Sequence, residues 1–311
     1  MPDPEPVEAE ETWEVVVVGA GPAGLSAALV LGRCDRRTLI CDSGEHRNAA
    51  AKAMRGYLGR DGTPPAEMLR IAREEIGRYP SVSVQRVTAV DAVRRDDGAF
   101  RIDLSDGRAV LASKLILATG VVDQLPALEG LDAIWGRSAW RCPICDGWEH
   151  RDHPLAVYGN SEDAARFALE IRHWTADLVL CTDGPPEYPE RWRQRLEGQG
   201  IAIRTDRIAR LESDAGTLSA IRFAQGDRLP RSGLFLATPW RQRCDLAEAL
   251  GCEMTEHDTA RTGRHEASTV SGLYLAGDIA GGYQLAIVAA AQGATAAVAV
   301  NTELIRDGLR G

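Results

Sequence analysis

Glu14-Val15-Val16-Val17-Val18-Gly19-Ala20-Gly21-Pro22-Ala23-Gly24 is the stretch that decides the fold. Four valines in a row read as a strand buried on both faces, as in a parallel sheet. The strand runs into a Gly-x-Gly-x-x-Gly turn. In such a turn the first glycine allows the tight bend and the second lets the backbone approach a pyrophosphate. The third lets the following helix pack closely on the strand. Leu25 to Leu31 continues as a helix, whose N-terminus offers free N–H groups to an anion. Thr38-Leu39-Ile40-Cys41-Asp42 is the next strand, so the segment is one βαβ unit. Asp42 ends that strand 23 residues after Gly19 (42 − 19), where a carboxylate can accept both hydroxyls of an adenosine ribose.

Downstream, 65–78 reads as an amphipathic helix, and 82–93, 100–104 and 109–111 as short antiparallel strands with Asp-Gly turns at 97–98 and 106–107. Lys114 to Thr119 is a separate buried strand ending at Gly120. A second βαβ unit follows: Leu155 to Tyr158, the turn at Gly159, a helix over 163–173 and the return strand 177–181. Two more strands are expected at 233–237 and 272–276, and an alanine-rich last helix from about Gln284 to Arg306. The fold class is therefore α/β, with two Rossmann-like dinucleotide-binding units, the second inserted into the first. The expected division is 13–121 with 238–311 for the outer, discontinuous domain and 122–237 for the inserted one.

Composition excludes several roles. A net charge of −9 argues against nucleic acid, whose backbone calls for an excess of Lys and Arg. No stretch approaches the roughly 18 apolar residues of a membrane span. Residues 1–12 are acidic and Pro-rich, lack the basic and apolar regions of a signal peptide, and read as a disordered tail on a cytoplasmic protein. Seven cysteines, an odd number, do not suggest a structural disulfide framework. Cys41 and Cys181 sit in apolar strands and read as buried hydrophobes.

Cys142-Pro143-Ile144-Cys145-Asp146-Gly147 is the second strong signal. Cysteines at this spacing can close a disulfide, and a helix start lowers a thiol pKa toward the reactive thiolate. The rival reading, half of a structural zinc site, needs four ligands, and no second ligand pair is expected. Trp135, Trp140, Arg141, Trp148 and His150 flank the pair and either line a groove or simply pack.

Taken together these segments resemble the thioredoxin-reductase-like, FAD-dependent disulfide oxidoreductases, over nearly the whole chain after residue 12. Leu117-Ala118-Thr119-Gly120 matches the "ATG" segment of flavoprotein disulfide reductases, and Leu275-Ala276-Gly277-Asp278 matches the motif before their last helix. The resemblance implies FAD held by Gly19, Gly21, Pro22, Ala23, Gly24, Asp42, Asn48, Thr119, Gly120, Gly277 and Asp278. Asp278 would meet the ribityl chain, and the helix led by Gln284, Leu285 and Ala286 would point at the flavin ring. By the same resemblance Cys145 would face the flavin, Cys142 would attack the substrate, and Asp146 would carry the proton. A homodimer is implied too.

The family pattern breaks in the inserted unit. The second glycine turn reads Gly159-Asn160-Ser161-Glu162-Asp163-Ala164, with serine for the middle glycine and two acids where phosphates would lie. The return strand is followed by Thr182-Asp183-Gly184, with no arginine before Arg191 to read a 2′-phosphate. A flavin enzyme with a cysteine pair and no nicotinamide donor would take electrons from a small-molecule dithiol and pass them to oxygen. That pattern is similar to the dithiol oxidases of disulfide natural-product pathways, of the gliotoxin and holomycin type. The stretches Arg47-Asn48-Ala49-Ala50-Ala51 and Gly56 to Gly62, and Cys-Pro-Ile-Cys followed by Asp-Gly-Trp-Glu, look like that branch. An NADPH- or ferredoxin-dependent reductase of thioredoxin-like proteins, and a non-enzymatic flavin-binding sensor, remain alternatives.

Overall fold

A computed structural model describes residues 10–309. The valine run lies inside the strand Glu11–Val18, which pairs in parallel with Thr38–Cys41 on one side and Ala109–Leu117 on the other. Its alternation divides the core. Val16 and Val18 join Phe100, Ile102 and Leu115 on one face. Val15 and Val17 join Leu25, Ala28 and Leu31 of the helix Pro22–Arg33 on the other. Both faces are buried, which is why this strand is a continuous apolar run.

Three sequence expectations change here. Of the expected tail, residues 1–9 lie outside the described residues, but Glu11 and Thr12 are strand, opposite Val110 and Leu111. Glu10 anchors that end through Arg101, 2.6 Å away. The segments 109–111 and 114–119 are one strand, Ala109–Leu117. Its first half pairs antiparallel with Phe100–Leu104, and its second half parallel with Leu273–Leu275. Val82–Gln85 is parallel to Thr38–Cys41, because the helix Pro65–Ile76 carries the chain back before it.

The last helix, Ala286–Gly308, turns a face of small residues inward: Ala289, Ala290, Gly293, Ala296, Ala297 and Val300. That face lets it approach the first helix so closely that a Cβ on Gly293 would lie 1.9 Å from the Ala23 carbonyl oxygen.

The chain divides into two compact units, 10–47 with 66–122 and 241–309, and 48–65 with 123–240. The second unit has a five-stranded sheet in the order Ala202–Arg204, Leu178–Cys181, Leu155–Tyr158, Gly233–Leu236, Ala139–Trp140, with every neighbouring pair parallel. A three-stranded antiparallel sheet, Ile208–Asp214, Thr217–Phe223 and Arg228–Pro230, adjoins it within the unit and has no counterpart in the sequence reading. Residues 48–65, assigned from sequence to the first domain, group with the second unit. There Ala50 lies under Gly136, and Arg55 pairs with Glu149.

Candidate functional site

In the first unit the candidate residues follow the carboxyl ends of parallel strands. Gly19 follows Val18, Asp42 follows Cys41, Thr119 and Gly120 come after Leu117, and Gly277 and Asp278 after Leu275. This is the edge at which doubly wound sheets bind ligands. Within the turn, packing dictates two of the glycines. Gly19 has φ +103°, and a Cβ there would meet the Ala118 carbonyl oxygen at 2.4 Å; a Cβ on Gly24 would meet the Gly19 oxygen at 1.8 Å. Gly21 differs: a Cβ there would meet nothing within 4 Å. It caps the helix Pro22–Arg33 without a side-chain hydrogen bond, so Pro22 and Ala23 begin a helix whose N-terminus faces open space.

Asp42 is partly engaged. One oxygen accepts from the Ala20 N–H at 3.2 Å and the other from Arg73 at 3.0 Å. Arg73, on the helix Pro65–Ile76, was not singled out from sequence. Burial, then the Arg73 charge, holds the neighbouring His46 below the usual imidazole range. The Thr119 hydroxyl is buried without a hydrogen-bond partner. A buried orphan of this kind calls for a ligand or water.

Asp278 starts a short 3₁₀ turn, Asp278–Ala280, rather than the long helix. Its carboxylate accepts from Arg47 at 2.8 Å, and the same arginine nitrogen donates to the Gln284 side-chain oxygen at 2.9 Å. The Gly277 N–H donates to the Gln292 side-chain oxygen at 3.0 Å. Leu285 and Ala286 open the last helix, again without a side-chain cap. Arg47 and Gln292 therefore order the loop, although neither is among the candidate cofactor-binding residues. Asn48 starts the segment grouped with the second unit, its carbonyl accepting from the Ala51 N–H at 3.0 Å.

In the second unit Cys142 and Cys145 form a disulfide, with Cα atoms 5.2 Å apart. Cys142 precedes the short helix Pro143–Asp146, and its sulfur accepts from the Cys145 N–H at 3.1 Å. Ile144 and Trp148 project beside the pair, 65% and 64% exposed, with the Arg151 guanidinium 4.0 Å over the Trp148 ring. Asp146 is pushed up to about 7, first by burial and then by the Glu149 charge, with Arg55 pulling the other way. A carboxyl group that titrates near neutrality can give and take protons, a property sequence alone does not reveal.

The other flanking residues mostly pack. Trp140 is buried against His150, ring centroids 4.1 Å apart, and Phe235; Trp135 joins the core; Arg141 donates to the Thr238 carbonyl at 3.0 Å. His150 and His153 stand at H-x-x-H spacing, contrary to the sequence reading that no second ligand pair follows the cysteines, and their rings are 6.2 Å apart. Among the described residues no group of three His, Cys, Asp or Glu side chains is arranged to hold a metal ion.

The departures at the second glycine turn have local explanations. Ser161 caps the helix Glu162–Ile171, accepting from the Ala164 N–H at 3.2 Å. Glu162 is paired with Arg191 and the Trp192 indole N–H. Asp183 accepts from the Ile208 N–H at 2.6 Å. One expectation needs correcting: a cation does stand here. Arg207, 24 residues after Asp183 (207 − 183), comes within 3.8 Å of its carboxylate and stays 72% exposed. It arrives on a strand pairing that local sequence does not report.

Among the described residues no helix is long and apolar enough to cross a membrane. A family model described as pyridine nucleotide-disulphide oxidoreductase matches residues 13–293. Thioredoxin reductase tcpT of Claviceps purpurea is 31% identical over 276 residues, covering 85% of this chain and 86% of that protein. The crystal structure of HlmI superposes with a TM-score of 0.91 at 34% identity, over 96% of this chain and 94% of that one. That of the putative thioredoxin reductase TrxB from Bacillus anthracis gives 0.89 at 32% identity, over 95% and 99%.

Proposed function

Because the chain belongs to the pyridine nucleotide-disulphide oxidoreductase family, whose thioredoxin-reductase-like members bind FAD, we propose that it is a dithiol oxidase. It converts a small-molecule dithiol to a disulfide through Cys142 and Cys145, with oxygen as the final acceptor. The observation that carries this reading is the second glycine turn, where Ser161 and Glu162 serve the protein's own helix and Asp183 its own backbone. A charge-assisted clamp on a nicotinamide dinucleotide is correspondingly weakened.

The protein's residues supply the exchange. One substrate thiolate attacks the Cys142 sulfur, the Cys142–Cys145 bond breaks, and a mixed disulfide forms. The second substrate thiolate then displaces Cys142, releasing the product disulfide and leaving both cysteines reduced. Asp146 delivers and recovers protons near neutral pH. Gly19, Gly21, Pro22, Ala23, Gly24, Asp42, Asn48, Thr119, Gly120, Gly277, Asp278 and the helix start at Gln284, Leu285 and Ala286 are the residues we assign to FAD. The open space at Gly21, the uncapped helix and the orphaned Thr119 hydroxyl fit that group. Bound FAD supplies the two-electron acceptor that lets the cysteines return to the disulfide.

Arg207 beside Asp183 favours a second reading, a nicotinamide-dependent reductase of a disulfide partner such as a thioredoxin-like protein. Anaerobic mixing of the holoenzyme with dithiothreitol, and separately with NADPH, distinguishes the two by loss of the flavin absorbance. The oxidase reading expects fast bleaching by the dithiol and peroxide on readmission of air. Saturable bleaching by micromolar NADPH, with electrons passed on to a protein disulfide, would replace it with the reductase. A homodimer is expected on either reading, and light scattering checks it.

A further inference from the structure

Apart from Asn48, the reaction above makes no use of residues 48–65, yet this segment brings a charge to the turn that follows the cysteine pair. It is a loop closed by its own backbone: the Met54 N–H donates to the Thr63 carbonyl and the Gly62 N–H to the Met54 carbonyl, both at 2.8 Å. The Gly56 N–H donates to the Asp61 carboxylate at 2.8 Å. So held, the Arg55 guanidinium lies 3.2 Å from the Glu149 carboxylate and 3.9 Å from Asp61. The Arg55 and Glu149 side chains are 31% and 32% exposed, which leaves the pair only partly screened by water. Glu149 is three residues beyond Asp146 (149 − 146), in the turn continuing from the helix Pro143–Asp146. The charged groups that act on Asp146 are Glu149 from its own turn and Arg55 from the loop, and they act in opposite senses.

We propose that Arg55 and Glu149 are a positioning pair that sets the proton affinity of Asp146 and so the pH range in which the cysteine pair turns over. The inference rests on the dithiol-exchange reading for the use made of the proton. In that exchange two S–H bonds of the substrate and the Cys142–Cys145 bond break. One product S–S bond and two cysteine S–H bonds form. Two electrons and two protons thus reach the cysteines, and Asp146 is the acid in the motif that can hand a proton to a departing thiolate. With both partners present the carboxylate opposing Asp146 ionisation is partly offset by the guanidinium. Remove either and the balance tips, in a direction that depends on which one is lost.

The test is an isotope-edited infrared titration of the Asp146 carboxyl band in the full-length protein, with Asp146→Asn identifying the band. Arg55→Gln leaves Glu149 unopposed and is expected to raise the midpoint by about one pH unit; Glu149→Gln is expected to lower it by about as much. Arg55→Lys keeps the charge and the wild-type midpoint, and should Arg55→Gln fail to fold, Glu149→Gln carries the test, an unmoved midpoint there overturning the proposal. In the holoenzyme, the pH profile of dithiol turnover should move with the infrared midpoint. A purely structural role would lower activity in both variants without moving either midpoint, and that result, or shifts of the same sign, overturns the proposal. If the wild type turns over no dithiol, the oxidase reading fails, and opposite infrared shifts still support the pair.

Discussion

Gly21→Ala and Gly24→Ala, three residues apart, should fail in different ways. A Cβ on Gly24 would sit 1.8 Å from the Gly19 carbonyl oxygen and 2.9 Å from its carbon. Both are backbone atoms of the turn, so the helix Pro22–Arg33 must lift by about an ångström to restore ordinary contact. Overpacking of this kind costs about 1–3 kcal/mol or more. Each kcal/mol lowers Tm by about 2–4 °C in a protein of this size class. Gly24→Ala should therefore melt about 2–12 °C below wild type even without cofactor. A Cβ on Gly21 meets nothing within 4 Å, so apo Gly21→Ala should melt with apo wild type. What it fills is the space before the uncapped helix N-terminus. Displacing a pyrophosphate from two backbone N–H groups, each worth about 1.5–3 kcal/mol to a charged acceptor, loses about 3–6 kcal/mol. That weakens FAD by about a hundredfold to ten-thousandfold. Flavin fluorescence during titration of the apoproteins measures the affinity, and circular dichroism the melting. Wild-type FAD affinity in Gly21→Ala, or an apo Gly21→Ala that melts as low as Gly24→Ala, would refute the division of roles.

Three further outcomes are expected. Cys142→Ser or Cys145→Ser should lower dithiol turnover by about a thousandfold or more, whereas Cys34→Ser, at an exposed free thiol, should leave it unchanged in an oxygen-uptake assay. Asp146 is raised from 3.8 to about 7 in the folded chain, so its contribution to stability is fully present below about pH 4 and lost as pH rises through 7. The stability of Asp146→Asn relative to wild type should rise across that window, by at most about 4 kcal/mol, read from denaturant melts at pH 4, 5.5 and 7.5. Burial pushes the Cys41 and Cys181 thiols up to about 12, so iodoacetamide at pH 8 should label Cys34 first and spare both until denaturant is added, as mass spectrometry of the peptides would show.

The features legible in the linear chain were those whose chemistry is local. A glycine turn needs only its own six residues and the strand and helix beside it, so Gly19, Gly21 and Gly24 announced themselves. Cys142 and Cys145 did so by their spacing, and the valine run by its unbroken hydrophobicity. The burial of Cys41 and Cys181 followed from the same apolar strands. Tertiary structure decided whatever depended on residues far apart in the chain. The direction of Val82–Gln85, the fusion of 109–117 into one strand and the continuation of the first strand to Glu11 are set by pairing partners, not by propensity. Arg73 reaches Asp42 across 31 residues, Arg47 reaches Asp278 across 231, and Arg207 reaches Asp183 across 24 (207 − 183). Asp146 is an ordinary aspartate in the sequence. Only burial and the Glu149 charge, partly offset by a loop-borne arginine 91 residues before it (146 − 55), turn it into a group that titrates near neutrality, because desolvation and Coulomb interactions depend on distance in space.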